Sequence, residues 1–392
     1  MTGRSDAGGA SSGRARPLDD LTRQVLLGWL AHRAARWPST AVRSARPGHG
    51  ERMRAEITLA QSRHPPYYRP VAPSSSASSA DIDFASGAPI DGAEEPVWIH
   101  GAPSRKQCTD PAIQVHQSDR HTFILRVSKA VSFEAPFVFL LFGNERAVLL
   151  DTGPGADPAK IPLRRTVDEL VGAWLAEHPR DDYELVVAHT HGHRDHRDGD
   201  PQFADRPHTT VVGHTAEDVR GFYGFTEWPG QIVGFDLGGR VLELTGTPGH
   251  HPASVTVYDP WTGFLLTGDT IMPGRLYAKE YPDFLQSLER LAEFAAQRSI
   301  TRVLGCHIEM SRTPGHDYPA GSTYQPDEIS LRLPAERIAE IRDAAQAAAK
   351  PGVYVHGDFI IWSGGQRLAP MLGQAFRLIA YNRAKRKQAR RG

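Results

Sequence analysis

The sequence predicts an α+β fold in which two β-sheets pack against each other beneath covering helices. Short β-type segments are grouped in two runs along the chain. Amphipathic helices fall between and after those runs. Most of the strands end in a polar or glycine-containing loop.

Taken in order, the first 95 residues are set apart by composition. MTGRSDAGGASSGRARP and APSSSASSADIDFASGAPIDGAEEP are rich in Ser, Ala, Gly and Pro. Such segments bury too little apolar surface to offset their ordering entropy, so a low-complexity, disordered extension is expected over residues 1–95. Within it, Leu18–Trp37 has the pattern of one amphipathic helix with arginines on its polar side. Order is expected from about Val97, with the main domain over 96–330 and a helix/strand extension packed on it over 331–392. HTFILRVSKA and PFVFLLFG read as strands, and Gly143-Asn144 turns the chain into ERAVLLDTG as a hairpin return. Thr166–Glu177 reads as a helix capped by Thr166, with Val167, Leu170, Val171 and Trp174 on one face. YELVVAHT, HTTVVGHT, RVLELTGTPG, ASVTVYDPWTGFLLTGD and TRVLGCH follow as strands. Asp283–Gln297 is a second helix, capped by Asp283, that turns Leu285, Leu288, Leu291 and Phe294 to a core. The closing YNRAKRKQARRG is a basic run that reads as a solvated terminus.

Forty-five basic residues balance forty-five acidic ones, which gives no global reason to expect nucleic acid or an anionic membrane as partner. Cys108 and Cys306 are too few for a disulfide framework or a thiolate zinc site, and two free thiols fit a reducing compartment. No apolar run approaches the length of a membrane span, and the first residues lack the apolar stretch of a secretory signal. Their Arg- and Ser-rich, acid-poor composition is shared with transit peptides. The expectation is a cytoplasmic protein acting on a small molecule.

The densest chemistry lies in AHTHGHRDHRDGD, Ala188–Asp200, where His191, His193, Asp195 and His196 form H-x-H-x-D-H directly after an apolar strand. Side chains at i and i+2 of extended chain point the same way, so His191 and His193 can grip one ion together. A turn after Arg194 would aim Asp195 and His196 at a neighbouring position. Neutral imidazoles and carboxylates without thiolate suit zinc, with iron or manganese also compatible. Three more residues sit at the far ends of predicted strands: His250 after LTGTPG, Asp269 after GFLLTG and His307 after RVLGC. Together they supply two ions with three imidazoles or carboxylates each, plus one shared carboxylate.

H-x-H-x-D-H, T-P-G-H, L-T-G-D and the late G-C-H resemble, in order and spacing, the metallo-β-lactamase superfamily of metal hydrolases. AVLLDTG is similar to that superfamily's first motif, and the resemblance covers about Ile113–Met310. It implies a four-layer αββα sandwich with two metals at one edge between the sheets. It further implies that His191, His193 and His250 hold the first ion, that Asp195, His196 and His307 hold the second, and that Asp269 bridges. Asp151 would buttress the metal loop. Dizinc β-lactamases that use cysteine carry it where Asp269 stands, so the resemblance is closer to the hydroxyacylglutathione hydrolase and lactonase branch, although the basic cluster that would hold glutathione is not found.

The implied reaction is attack of a metal-bridging hydroxide on the carbonyl of an ester, thioester or lactone, with Asp195 and Asp269 as the catalytic carboxylates. Arg275 and Tyr277 are candidate substrate contacts, and Tyr223, Phe225, Trp228 and Tyr281 fall in loops that could rim the site, with packing the simpler role for each. Two other classes compete. A mononuclear iron oxygenase resembling the persulfide dioxygenases would use His191, His250 and Asp269 alone, and a metal-dependent nuclease is disfavoured by the balanced charge.

Overall fold

The computed structural model describes residues 81–348, 350–363 and 368–389. The expected helix Leu18–Trp37 and most of the expected extension lie outside the described residues. The strands run β1 (Ile113–Asp119), β2 (Thr122–Val127), β3 (Phe137–Phe142), β4 (Arg146–Leu150), β5 (Glu184–Ala188), β6 (Thr209–Val211), β7 (Ile232–Asp236) and β8 (Val241–Gly246). They continue with β9 (Val255–Asp259), β10 (Phe264–Gly268), β11 (Arg275–Ala278), β12 (Arg302–Gly305), β13 (Arg332–Leu333), β14 (Val353–Val355) and β15 (Ile360–Ser363). The helices are α1 (Leu163–Glu177), α2 (Arg194–Arg197), α3 (Ala216–Tyr223), α4 (Tyr281–Ala295), α5 (Glu336–Ala347) and α6 (Leu368–Ala389).

β1 to β6 form one sheet in chain order, and a second runs β13-β12-β10-β9-β8-β7. β4, β5 and β6 are parallel, as are β10 and β12, whose connection passes through β11 and α4. A small third sheet, β11-β15-β14, has no counterpart in the strand pattern read from the sequence.

Alternation along the strands builds the layers. On β3, Phe137, Phe139 and Leu141 join Val148, Leu244, Val257 and Leu304 in a core between the two large sheets. Their neighbours Val138, Leu140 and Phe142 point the other way, onto Leu163, Val167, Val171 and Trp174 of α1. On the far side, Leu265 and Val303 pack on Phe284, Leu288 and Leu291 of α4 and on Ile338 and Ile341 of α5. Because period-2 alternation sends successive side chains to opposite faces, both sheets are buried on both faces, and the result is the αββα sandwich. Fully burying each such side chain contributes about 1.5–3 kcal/mol.

α1 and α4 start earlier than their expected caps. α1 begins at Leu163, and the Thr166 hydroxyl donates back to Pro162 O at 3.0 Å inside the first turn. α4 begins at Tyr281, which leaves Asp283 in the first turn without a capping bond. Proline explains both shifts: Pro162 immediately precedes α1 and Pro282 sits in the first turn of α4, where a preset φ and a missing N–H are no burden. α6 carries the basic run in helix as far as Ala389, with Arg383, Arg386 and Lys387 exposed.

The packed chain begins upstream of Val97. Ile82 exchanges hydrogen bonds with the Asn144 side chain, both at 2.9 Å. Phe84 is buried edge-on against His121 and Trp261, with ring centroids 5.3 and 5.0 Å away. Beside it, Arg240 ties the two sheets together. Its guanidinium donates to His121 O at 2.8 Å and Phe142 O at 2.9 Å on one sheet. On the other it forms a two-point pair with Asp259, at 3.0 and 2.5 Å. Removing this cation would leave the buried Asp259 carboxylate without its charge partner. Arg240→Met is therefore expected to lower unfolding stability by about 3–5 kcal/mol in urea titration. A loss below about 1 kcal/mol would mean that the ion pair does not fasten the sheets.

Candidate metal centre

The edge where β4, β5, β8, β10 and β12 end holds a cluster of imidazoles and carboxylates. A bent loop after β5, rather than the expected extended chain, carries His191 and His193, and the single turn α2 then presents Asp195 and His196. His250 follows β8, Asp269 directly follows β10, and His307 follows β12. Glycine is required at two of these turns. Gly249 has φ +132°, and a Cβ there would stand 2.4 Å from Phe284 Cα. Gly268 has φ +56°, and a Cβ would meet the Thr190 side chain at 2.8 Å.

All seven expected ligands come together in two adjoining groups. His193 Nδ1 lies 2.9 Å from His191 Nε2 and 3.0 Å from His250 Nε2, so three ring nitrogens converge on one point. Asp195 Oδ2 lies 3.6 Å from His196 Nε2 and 3.5 Å from His307 Nε2, closing a second group. Asp269 stands between them. Its Oδ2 is 3.4 Å from His250 Nε2 and 3.9 Å from His191 Nε2, while its Oδ1 is 3.4 Å from His307 Nε2 and 3.6 Å from His196 Nε2. Ligands on a tetrahedral ion with bonds of 2.0–2.1 Å are about 3.3 Å apart, so these spacings match coordination edges.

The outer contacts fix which nitrogen faces inward. His250 Nδ1 donates to Tyr277 O at 3.1 Å, His307 Nδ1 to Glu134 O at 3.0 Å, and His196 Nδ1 to Asp151 Oδ2 at 2.8 Å. Each Nε2 is then left with its lone pair toward the cluster, the tautomer a metal ligand needs. Asp269 Oδ1 is buried with no hydrogen-bond partner among the described residues, a costly arrangement unless a cation faces it. The donor set thus fits a pair of divalent ions.

Asp151 occupies the place expected of a buttress. It is fully buried at φ +71°, and it accepts Thr190 N at 2.8 Å and Thr190 Oγ1 at 2.9 Å as well as His196 Nδ1. Cys306 Sγ–H points to the same carboxylate at 3.3 Å.

Burial alone would press His196 down, yet the carboxylates of Asp151, Asp195 and Asp269 outweigh it and hold its pKa well above the ordinary value. His191 moves the opposite way: burial and the surrounding imidazoles drive its pKa well below. Burial would raise Asp269, but His307 and His196 overcome it and keep the carboxyl ionised.

The fourth histidine of the opening motif, His189, turns away and bonds Asp200 Oδ1 at 2.8 Å, with Thr152 Oγ1 on the same oxygen at 2.7 Å. That pair pins the loop of candidate ligands from behind. Sequence reasoning gave neither His251 nor Cys306 a role at this site. The His251 ring lies 4.9 Å from that of His193, and its Nδ1 accepts Ala253 N–H at 3.1 Å. The doubled histidine of T-P-G-H-H was the available signal for it.

The two expected substrate contacts are placed differently. Arg275 is buried, and its guanidinium is engaged by Glu309, by Asp317 at 2.6 Å and by the Tyr277 hydroxyl at 3.0 Å. Such closed pairing leaves it in the scaffold. Tyr277 stacks obliquely on Trp362, and the part of it that reaches the site is its carbonyl, which orients His250. Tyr223, Phe225 and Trp228 pack in the inter-sheet core, and Tyr281 donates to Ala345 O, as the simpler reading expects.

Asp151→Asn preserves shape and tolerates the left-handed backbone, yet it offers one acceptor oxygen to four donors. Metal affinity measured by competition with a chromophoric chelator is expected to fall about 10–100-fold, with far-UV dichroism unchanged. Unaltered affinity would show that the carboxylate does not orient His196.

The model of the Metallo-beta-lactamase superfamily matches residues 132–307. The hydroxyacylglutathione hydrolase of Anaeromyxobacter dehalogenans (strain 2CP-C) is 32% identical over 221 residues, spanning 55% of this chain and 75% of that protein. The hydroxyacylglutathione hydrolase of Synechococcus sp. (strain JA-3-3Ab) is 31% identical over 194 residues, spanning 47% and 68%. Among solved structures, a metallo-beta-lactamase from Pontibacter korlensis aligns at 17% identity with a TM-score of 0.40, covering 60% of this chain and 99% of that one.

Proposed function

The chain belongs to the metallo-β-lactamase superfamily, and on that premise we propose that it is a binuclear metal-dependent hydrolase of an ester, thioester or lactone. The observation that carries the reading is Asp269, whose two oxygens face opposite groups of imidazoles. His191, His193 and His250 would hold one divalent cation, Asp195, His196 and His307 the other, and Asp269 both. Zinc suits the nitrogen and oxygen donors best, with iron or manganese compatible. Two such cations would supply Lewis acidity toward water and toward a carbonyl oxygen.

The chain's own groups do the rest. Asp269 sets the spacing of the two ligand groups. Asp195 accepts a proton from water on a carboxylate oxygen and returns it to the leaving group. Tyr277 O, Glu134 O and Asp151 keep the imidazoles in one tautomer, so that no ring must reorganise during turnover. A covalent route through cysteine is disfavoured, because burial and the neighbouring Asp151 push the Cys306 thiol well above its ordinary pKa.

Elemental analysis of the purified chain, joined to a panel of esters, thioesters and lactones, tests this directly. Two zinc-class ions per chain and turnover of one substrate class are expected. One tightly bound iron with oxygen consumption would replace the hydrolase by an oxygenase, and cleavage of nucleic acid alone would replace it by a nuclease.

Asp269→Ala is expected to abolish turnover while the chain stays folded, since the remaining ligands are still anchored at their own strand ends. Asp269→Cys should bind zinc better than the alanine variant through a thiolate bond of about 2.3 Å, favour one ion, and remain inactive on esters and thioesters. Wild-type turnover by the alanine variant with both ions bound would remove the bridging role.

A further inference from the structure

α6 rests on the domain through the buried Leu378, the Tyr381 ring and a row of polar contacts, and turns Leu372 and Phe376 outward. Gln374 Nε2 donates to Asp317 Oδ2 at 3.2 Å and Arg377 to Asp317 O at 2.6 Å. Farther along, Tyr381 OH donates to Tyr324 O at 2.7 Å and Lys385 Nζ to Thr323 Oγ1 at 2.9 Å. On the other side Leu372 is 46% and Phe376 69% exposed. Ala380, Arg383 and Lys387 are exposed too, and with Leu372 and Phe376 they recur every three or four residues, which places all five along one face. A water-soluble surface helix ordinarily turns large apolar side chains inward, as α6 does with Leu378, so the outward Leu372 and Phe376 are the exception.

Charge is segregated onto the same segment. After Asp358 the chain carries eight basic residues and no acidic one, although the whole chain is balanced at forty-five each. We propose that the outward face of α6 is a docking surface for an anionic phospholipid bilayer, with Leu372 and Phe376 entering the interface and Arg383 and Lys387 meeting lipid phosphates. Apolar side chains beside cations are what an interfacial helix uses, with insertion and headgroup attraction acting together. The other polyanion, nucleic acid, offers its phosphates to Arg and Lys but gives exposed Leu and Phe no comparable partner. Parallel, in-register pairing with a second copy would set Arg383 and Lys387 against themselves. Among the described residues no helix is long and apolar enough to cross a membrane, so the contact is lateral.

The test is flotation of the full chain with phosphatidylcholine vesicles, with and without phosphatidylserine, at low and raised salt. Wild type is expected to float with the anionic vesicles alone and to be released by salt. Each basic side chain near such a surface contributes about 1 kcal/mol, so Arg383→Gln with Lys387→Gln should lower partitioning about 30-fold. Leu372→Ser with Phe376→Ser should lower it too, with the helical dichroism and metal content of wild type. Both pairs lie on the exposed face, and the second keeps every charge, so the two losses are independent of each other. Absence of flotation by wild type, equal partitioning of all three proteins, or equal binding to neutral vesicles would overturn the proposal. So would undiminished vesicle binding by the serine variant together with tight binding to single-stranded RNA.

Discussion

Four donors from two sheets converge on the buried carboxylate of Asp151: Thr190 N, Thr190 Oγ1, His196 Nδ1 and Cys306 Sγ. A charge removed from water is tolerable only when its lone pairs are satisfied, and here the satisfaction also sets positions. The end of β4, the loop after β5 and the end of β12 are drawn to one group. Rings that must point at a common centre have their outer nitrogens occupied before any ligand arrives. The left-handed backbone at Asp151 is the local cost of bringing its side chain under the loop.

Much of this was legible because its causes are local. The H-x-H spacing, the Asp-His pair one turn later and the glycines beside His250 and Asp269 act through backbone geometry of a few residues. Short runs rich in apolar, β-branched and aromatic residues, bounded by turn residues, made β2 to β5 and β8 to β10 readable for the same reason. The failures lie where a long-range partner decides. Arg275 reads as a substrate contact until Glu309 and Asp317 close around it. Tyr277 contributes a backbone carbonyl that side-chain chemistry cannot foretell. The third sheet joins β11 to β15 across more than eighty residues, and no short window contains that pairing. The tail's basic residues were visible, whereas the outward aim of Leu372 and Phe376 depends on what the opposite side of α6 grips.

The same contrast governs the electrostatics. His191 and His196 are one imidazole type, five residues apart in the chain, and their proton affinities move in opposite directions. Carboxylates surround one and imidazoles the other. Composition alone, balanced to zero net charge, carries no trace of this division or of the basic C-terminal segment.

The ligand groups straddle the seam of the sandwich. His191, His193, Asp195 and His196 belong to the sheet of β1–β6, while His250, Asp269 and His307 belong to the other. An ion shared across that seam is a cross-link that forms only when both halves are in register, and the unfolded chain cannot reproduce it. By mass action the folded state then gains RT ln(1 + [M]/Kd), about 2.7 kcal/mol at a free-ion level one hundred times Kd. With such an ion bound, the heat resistance of this chain would be a property of its medium as much as of its sequence. In a chelating buffer the sheets would keep their apolar core, Arg240 and the bonds gathered on Asp151, and the loss of a bound ion would show as a lower melting temperature.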